Sequence, residues 1–432
     1  MKKMSFLVSC ILLFTWRLPA ATPENFCKIA LTTYNESWDV INKFNFAADE
    51  KSWSKIRAEN EKKVASCTGE EEFLKLMNDM FDQLGQSHMV FLPPESVQYK
   101  SAIKKIAAGD ITKDALPADS GILPLLAGGK ICVGKVFKGS AAEEAGIKQG
   151  DEITRIDSFD FDASASAEIP WELIAHKMLS GKAGSEVTLG IRNSSGSEKE
   201  CRLKLKPSGS RWIKLGAMPQ FAGVFYYEIL PGGIAYVYFN SFFPDEIGKF
   251  NSLLDNEFKG ATGMIIDIRN NPGGMGIMAP ALGGWISDKK LSFGDMKTKD
   301  VPLKLLSTPQ KRAFKGPVAV LINSGSASTA EVFAAGVQDN NIGKLFGETS
   351  SGQCLISFFH KLSTGYRLQT VFGDFVRADG SRIEKKGAIP DFEVKNTRES
   401  LSSGHDLVID AAVKYLQERA NLLSSEKAKQ NP

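Results

Sequence analysis

The stretch Gly316-Pro-Val-Ala-Val-Leu-Ile-Asn323, continued by Ser324-Gly-Ser-Ala-Ser328-Thr-Ala-Glu331 and Val332-Phe-Ala-Ala-Gly-Val-Gln-Asp339, decides the fold. An apolar run of strand length breaks into small residues and resumes at helical spacing, which predicts a strand, a tight turn and a helix. Such a turn lifts a hydroxyl to the carboxyl edge of a sheet, beside free backbone N–H groups at a helix N-terminus. A serine nucleophile and its oxyanion are served together there. Taken alone, the same residues also suit a serine-rich loop whose Ser328 merely caps the helix.

The flanking sequence repeats the pattern. Ala235-Tyr-Val-Tyr-Phe239, Met264-Ile-Ile-Asp-Ile268 and Lys344-Leu-Phe-Gly347 read as further strands separated by helical stretches, so an α/β domain with a mainly parallel core is expected. Leu355 to Phe375 reads as a β-hairpin turning at Ser363-Thr-Gly365, and Asp406 to Glu418 as an amphipathic helix packing back. Upstream, residues 24 to about 90 are charged with apolar residues at helical spacing, a small helical domain that ends at Gly85-Gln-Ser87-His88-Met-Val-Phe-Leu-Pro93-Pro94.

The first residues, Met1-Lys-Lys followed by an apolar core and Arg17-Leu-Pro-Ala-Ala21, read as a secretory signal, too short to span a membrane and stay. Export, to a periplasm or beyond the cell, is therefore expected, with no integral membrane anchor. With 53 Lys and Arg against 50 Asp and Glu, the charge is near balance and points to no nucleic-acid partner. Five cysteines remain after processing: Cys27, Cys67, Cys132, Cys201 and Cys354. An exported compartment permits disulfides, and the odd count leaves at least one thiol free; Cys27 with Cys67 and Cys132 with Cys201 are the first pairs to test, and the spacing fits no zinc site.

Residues 120–207 open with Gly121-Ile122-Leu123 and run through "GSAAEEAGIKQGDEITRID" and a helical stretch around Trp171 to Leu179. This segment resembles a PDZ domain, whose groove between a strand and a helix adds a peptide strand while backbone N–H groups hold a terminal carboxylate. The resemblance implies that Gly121, Ile122 and Leu123 form that loop and that His176, on the groove helix, faces peptide or simply packs. A β-domain used only as a spacer is the other reading.

Asp267-Ile-Arg269-Asn-Asn-Pro272-Gly273-Gly274-Met275 follows the second core strand, and consecutive glycines there let the backbone approach a ligand with amides turned outward. Together, "DIRNNPGG", "INSGSASTAEVFAAGVQDN", "GETSSGQ" and "IEKKGAIPDFEV" resemble the tail-specific (carboxyl-terminal processing) and tricorn superfamily of serine peptidases. The resemblance implies a ββα-type, crotonase-like core at 208–398 and a C-terminal helix and tail at 399–432. It further implies an N-terminal helical region and linker at 22–119 after a signal at 1–21, and no metal or organic cofactor.

It also implies Ser328 as nucleophile, with Ser326 the rival if the register slips, and an oxyanion hole from Gly274, or less directly Gly273, with Thr329. The tail-specific branch closes a Gly-Glu-x-x-x-Gly-Lys segment with a catalytic lysine, where this chain has Gln353. Glutamine takes no proton from serine. The tricorn branch and the similar chlamydial protease-like activity factor use Ser, His and Glu instead. By that resemblance Glu384 is the orienting carboxylate, His88 the base and Ser87 its helper. Lysine-type relatives carry a histidine at a similar place without catalytic use, so a structural His88 stays open. His360, His405 and Asp339 read as structural. The implied partners are polypeptides, unfolded or presented through their C-termini. The rival functions are an inactive peptide-binding adaptor and a small-ligand carrier.

Overall fold

The computed structural model describes residues 23–46, 50–94, 116–161, 171–207, 209, 211–214, 216–217, 220–299 and 301–430. The expected signal segment and most of the linker before residue 116 lie outside these residues. No helix among them is long and apolar enough to cross a membrane.

The centre is a six-stranded sheet in the order Phe225–Leu230, Ile234–Phe239, Gly263–Asp267, Val318–Ile322, Lys344–Gly347, Phe392–Glu393. The first pair is antiparallel and every later pair is parallel, as the strand–helix alternation predicts. Ile234–Phe239, Gly263–Asp267 and Val318–Ile322 are buried at every position. That is the mark of parallel strands covered on both faces, and it explains their unbroken apolar runs.

The two faces separate cleanly. Val237, Phe239, Ile266 and Val320 pack under Ile247, Leu282 and Phe333 from the helices Pro244–Asp255, Met278–Gly283 and Thr329–Asp339. Tyr236, Tyr238, Ile265 and Leu321 pack on Val408, Ala412 and Leu416 of the C-terminal helix Leu407–Gln430. Each fully buried aliphatic side chain here contributes about 1.5–3 kcal/mol.

A second, antiparallel sheet joins Val90–Leu92, Arg367–Val376, Ser292–Thr298 and Leu303–Leu306, with Ile356–Lys361 also paired to Arg367–Val376. The expected hairpin is thus part of a larger sheet, of which the strands Ser292–Thr298 and Leu303–Leu306 escape a sequence reading. The N-terminal helices Pro23–Phe44, Glu50–Ser66 and Glu70–Asp82 do not close a core alone. Tyr34, Trp38, Phe73 and Phe81 share one with Tyr366, Leu368 and Val371 of this sheet.

The inserted unit carries strands Ile122–Ala127, Lys130–Val136, Glu152–Ile156, Glu186–Arg192 and Glu198–Lys204 in that order, with the helix Trp171–Met178 packed beside the edge strand Ile122–Ala127. Its Leu123, Leu125 and Phe137 are buried with Tyr236 and Tyr238 of the parallel sheet, so the edge strand lies on the core.

Neither candidate cysteine pair is joined. All five described cysteines are free thiols. Cys132 and Cys201 sit on strands separated by two others, roughly 14 Å at the normal strand spacing, beyond the reach of a disulfide. The Cys27 thiol instead donates to the Cys67 carbonyl at 2.9 Å.

Candidate active site

Ser328 stands at the N-terminus of the helix Thr329–Asp339 with φ 54° and ψ −118°, a backbone conformation that a non-glycine residue holds only when its surroundings enforce it. The enforcing group is Glu331. Its buried carboxylate accepts from the Ser328 N–H at 3.0 Å, the Ser350 hydroxyl at 2.6 Å, the Gly352 N–H at 2.7 Å and the Gln353 N–H at 3.0 Å. Burial raises the carboxyl's pKa, and these four donors pull it back. The Ser328 N–H also reaches the Gln353 carbonyl at 2.9 Å.

Ser328 and Glu331 thus stand in capping-box positions, with the Glu331 carboxylate closing its half on the Ser328 N–H at 3.0 Å. The Ser328 hydroxyl makes no cap hydrogen bond, and the half-buried side chain stays available. Ser326, the rival, is fully buried, and its hydroxyl donates to the Ile268 carbonyl at 2.8 Å.

The glycine turn lies directly against this serine. A Cβ at Gly273 would fall 2.8 Å from the Ser328 Cβ and from the Thr329 nitrogen, so only glycine permits the approach. Phe242 holds the turn from the other side, donating to the Gly273 carbonyl and accepting from Met275, both at 2.9 Å. The Gly273 N–H is taken by the Asn271 side chain at 2.9 Å. The N–H groups of Gly274 and Thr329 have no acceptor among the described residues, and the Thr329 hydroxyl fixes the Gly274 carbonyl at 3.0 Å. Between the two motifs, Asn270 at φ 58° and Asn323 exchange hydrogen bonds of 2.9 and 2.8 Å, a brace that no spacing rule announces.

Below the turn, Arg269 is buried between two carboxylates. It donates to Asp267 at 2.6–3.1 Å and to Asp406 at 2.8 Å, while Tyr236 donates to Asp267 at 2.8 Å. Burial works against the guanidinium charge, but Asp267 and Asp406 outweigh it and hold the pKa up.

Glu384 sits on the turn Ile383–Gly387, pinned by Lys385 N–H to the Gly352 carbonyl at 2.7 Å. Its Oε2 accepts from the Cys354 N–H at 2.8 Å, and its Oε1 is buried with no partner among the described residues. The Cys354 thiol lies 3.8 Å from the Ser328 carbonyl, its pKa raised by burial and by Glu331, Glu384 and Asp374. Gln353 exposes its side chain.

His88 has φ 61° and is half-buried, just before the strand Val90–Leu92 that joins it to the antiparallel sheet. Its Nδ1 meets the Ser87 hydroxyl at 2.9 Å, and burial lowers its pKa from 6.5 to about 4. A Cβ at nearby Gly85 would lie 3.9 Å from Lys385 Nζ, so the His88 and Glu384 turns are neighbours. No hydrogen bond joins His88 to either Glu384 or Ser328.

Of the two readings left open for His176, the structure shows packing. His176 is 5% exposed and packs on Tyr238, with its Nε2 3.3 Å from the phenol, so it faces the core instead of a peptide. Leu123 is buried against the parallel sheet. The Gly121 N–H is taken by Asp119 Oδ1 at 2.6 Å and the Ile122 N–H by Ser120 Oγ at 3.3 Å, leaving neither for a terminal carboxylate. Asp339 pairs with Arg377, His360 packs at a tilt against Phe44 and Phe358, and His405 pairs with Asp410.

Residues 233–394 match Peptidase family S41. The carboxy-terminal processing protease CtpA of Bacillus subtilis (strain 168) is 28% identical over 265 residues, 61% of this chain and 53% of that protein. The chain spans about half the length of the curated relatives it matches. The solved photosystem II D1 C-terminal processing protease superposes with a TM-score of 0.53 at 19% identity, covering 88% of this chain and 98% of its own. Mature CPAF superposes with a TM-score of 0.52 at 15% identity, covering 94% and 99%. Residues 233–394 are thus similar to Peptidase family S41, and the mixed α/β fold is similar to that of these solved proteases.

Proposed function

We propose that the chain is an exported serine endopeptidase that hydrolyses peptide bonds of polypeptide substrates through an acyl-enzyme. The observation that carries this reading is the uncapped Ser328 hydroxyl on its strained turn, flanked by the unbonded N–H groups of Gly274 and Thr329. The relatives' names supply the substrate class.

In this reading His88 takes the Ser328 proton as Oγ adds to the carbonyl carbon, and Gly274 and Thr329 donate to the oxyanion. His88 then returns the proton to the leaving amine, and water, deprotonated the same way, releases the acyl group. The pKa of about 4 keeps His88 neutral near pH 7, the state a base requires. Glu384 Oε1 is the acceptor that would orient the ring once the two turns close, with Ser87 supporting it. The inserted unit, a PDZ domain in this reading, captures the polypeptide.

The test compares the purified chain with Ser328→Ala, His88→Ala and Glu384→Gln, using a fluorophosphonate label and an unfolded protein substrate. Label and cleavage vanish in the first two and weaken in the third. Full activity in His88→Ala would sink the His-based mechanism. The absence of hydrogen bonds joining the three residues, with glutamine at the lysine position, favours a second reading as an inactive adaptor. An unmodified chain that never labels, even with peptide present, would establish it.

A further inference from the structure

Where the inserted unit meets the parallel sheet, a half-open cavity is walled by Leu125, Leu126 and Val394 and lined by Glu172, Glu348 and Arg269. Arg269 brings no spare positive charge, since Asp267 and Asp406 both hold it and leave one negative charge in excess. Glu172 is 2% exposed. One of its oxygens accepts the Ser324 hydroxyl, while Oε2 is buried without a partner among the described residues. Glu348 has Lys395 at 4.0 Å, but that lysine is 62% exposed and screens weakly. Burial raises the Glu348 carboxyl, Lys395 opposes the rise, and Glu172 adds to it, so the two acids sense each other.

The adjoining strand edge is poor in donors. Gly121 and Ile122 have used theirs internally, Pro124 has none, and the Pro124 carbonyl takes the Asn270 amide at 2.7 Å. The start of that strand therefore offers a carboxylate few donors. A long aliphatic stem ending in a cation finds apolar walls and an unpaired buried carboxylate oxygen.

We propose that this cavity binds the lysine or arginine side chain of a polypeptide, with its stem on Leu125, Leu126 and Val394 and its charge on Glu172 and Glu348. The inference deepens the proposed capture role of the inserted unit and rests on it for the polypeptide nature of the ligand. Binding is read by fluorescence anisotropy on the full chain carrying Ser328→Ala, so failure of the proteolytic reading leaves the result unaffected. Three labelled octapeptides differ only in one lysine replaced by norleucine and in an amidated or free C-terminus. The lysine amide is expected to bind at least about tenfold more tightly than the norleucine amide, with the free carboxylate changing affinity less than about twofold. Glu172→Gln erases the lysine advantage, and Glu348→Gln, which keeps the fold should Glu172→Gln fail to, reduces it. Equal binding of the two amides, binding of neither, a lysine advantage surviving both variants, or tightest binding by the free norleucine acid would overturn the proposal.

Discussion

Around Ser328 every polar group that holds the backbone is satisfied. Four donors converge on Glu331, and the glycine turn is locked by Phe242 and Asn271. Around His88 the opposite holds: the ring bonds only to the adjacent Ser87, and Glu384 Oε1 is buried and unpartnered. The proposed nucleophile and oxyanion donors are thus preassembled within one domain, whereas the proposed base arrives from a distant segment and leaves an acceptor open for it. Buried unsatisfied oxygens are costly, so the base side is where closure has free energy to gain.

The largest effect that would break this contrast is at Ser328. Ser328→Ala is expected to lower turnover by about 10³-fold or more while changing urea-measured stability by less than about 0.5 kcal/mol. A working serine cap costs about 1 kcal/mol when removed, so a loss of that size would show the hydroxyl to be a cap after all. Glu384→Gln should lower kcat by about 10²-fold with an unchanged melting temperature, because only the Cys354 N–H depends on it.

Glu331→Gln turns an amide N–H toward one of two donor pairs, and should cost about 3 kcal/mol in stability along with turnover. A variant as stable as the parent would remove Glu331 from the account. The proton balance sharpens the comparison further. His88 and His176 both have folded pKa values near 4 against 6.5, so the unfolded chain binds more protons between those values. Their contribution to stability is full above about pH 6.5 and is lost as pH falls toward about 4. The acid limb of kcat/KM in the free enzyme should likewise bend nearer pH 4 than 6.5. A limb at 6.5 or above would mean that the ring is already paired with Glu384 in solution. Gln353→Ala, at an exposed side chain, should change activity less than about twofold.

Much of this architecture can be read from local pattern. Val318–Ile322, the small-residue turn and the helix after it announce themselves by period and composition, and so do the glycines at 273 and 274. What escapes is whatever depends on distant partners. Nothing near Glu331 says that its carboxylate will hold Ser350, Gly352 and Gln353, nor that Asn270 will brace Asn323. The groove strand reads as a peptide edge, yet Leu123 and Leu125 turn their apolar side to the parallel sheet, a choice made by tertiary packing. The separation of Cys132 from Cys201 escapes for the same reason, since strand order cannot be counted along the chain.

The Arg269 ion network has a consequence for the life of the protein. One of its two counter-ions, Asp406, lies 137 residues further along the chain. A ribosome makes Arg269 long before it makes that partner, so the growing polypeptide cannot complete the charge balance beneath the glycine turn. The charge balance beneath the glycine turn is therefore complete only once the final helix docks, and a chain truncated before residue 406 keeps only Asp267 as counter-ion to Arg269.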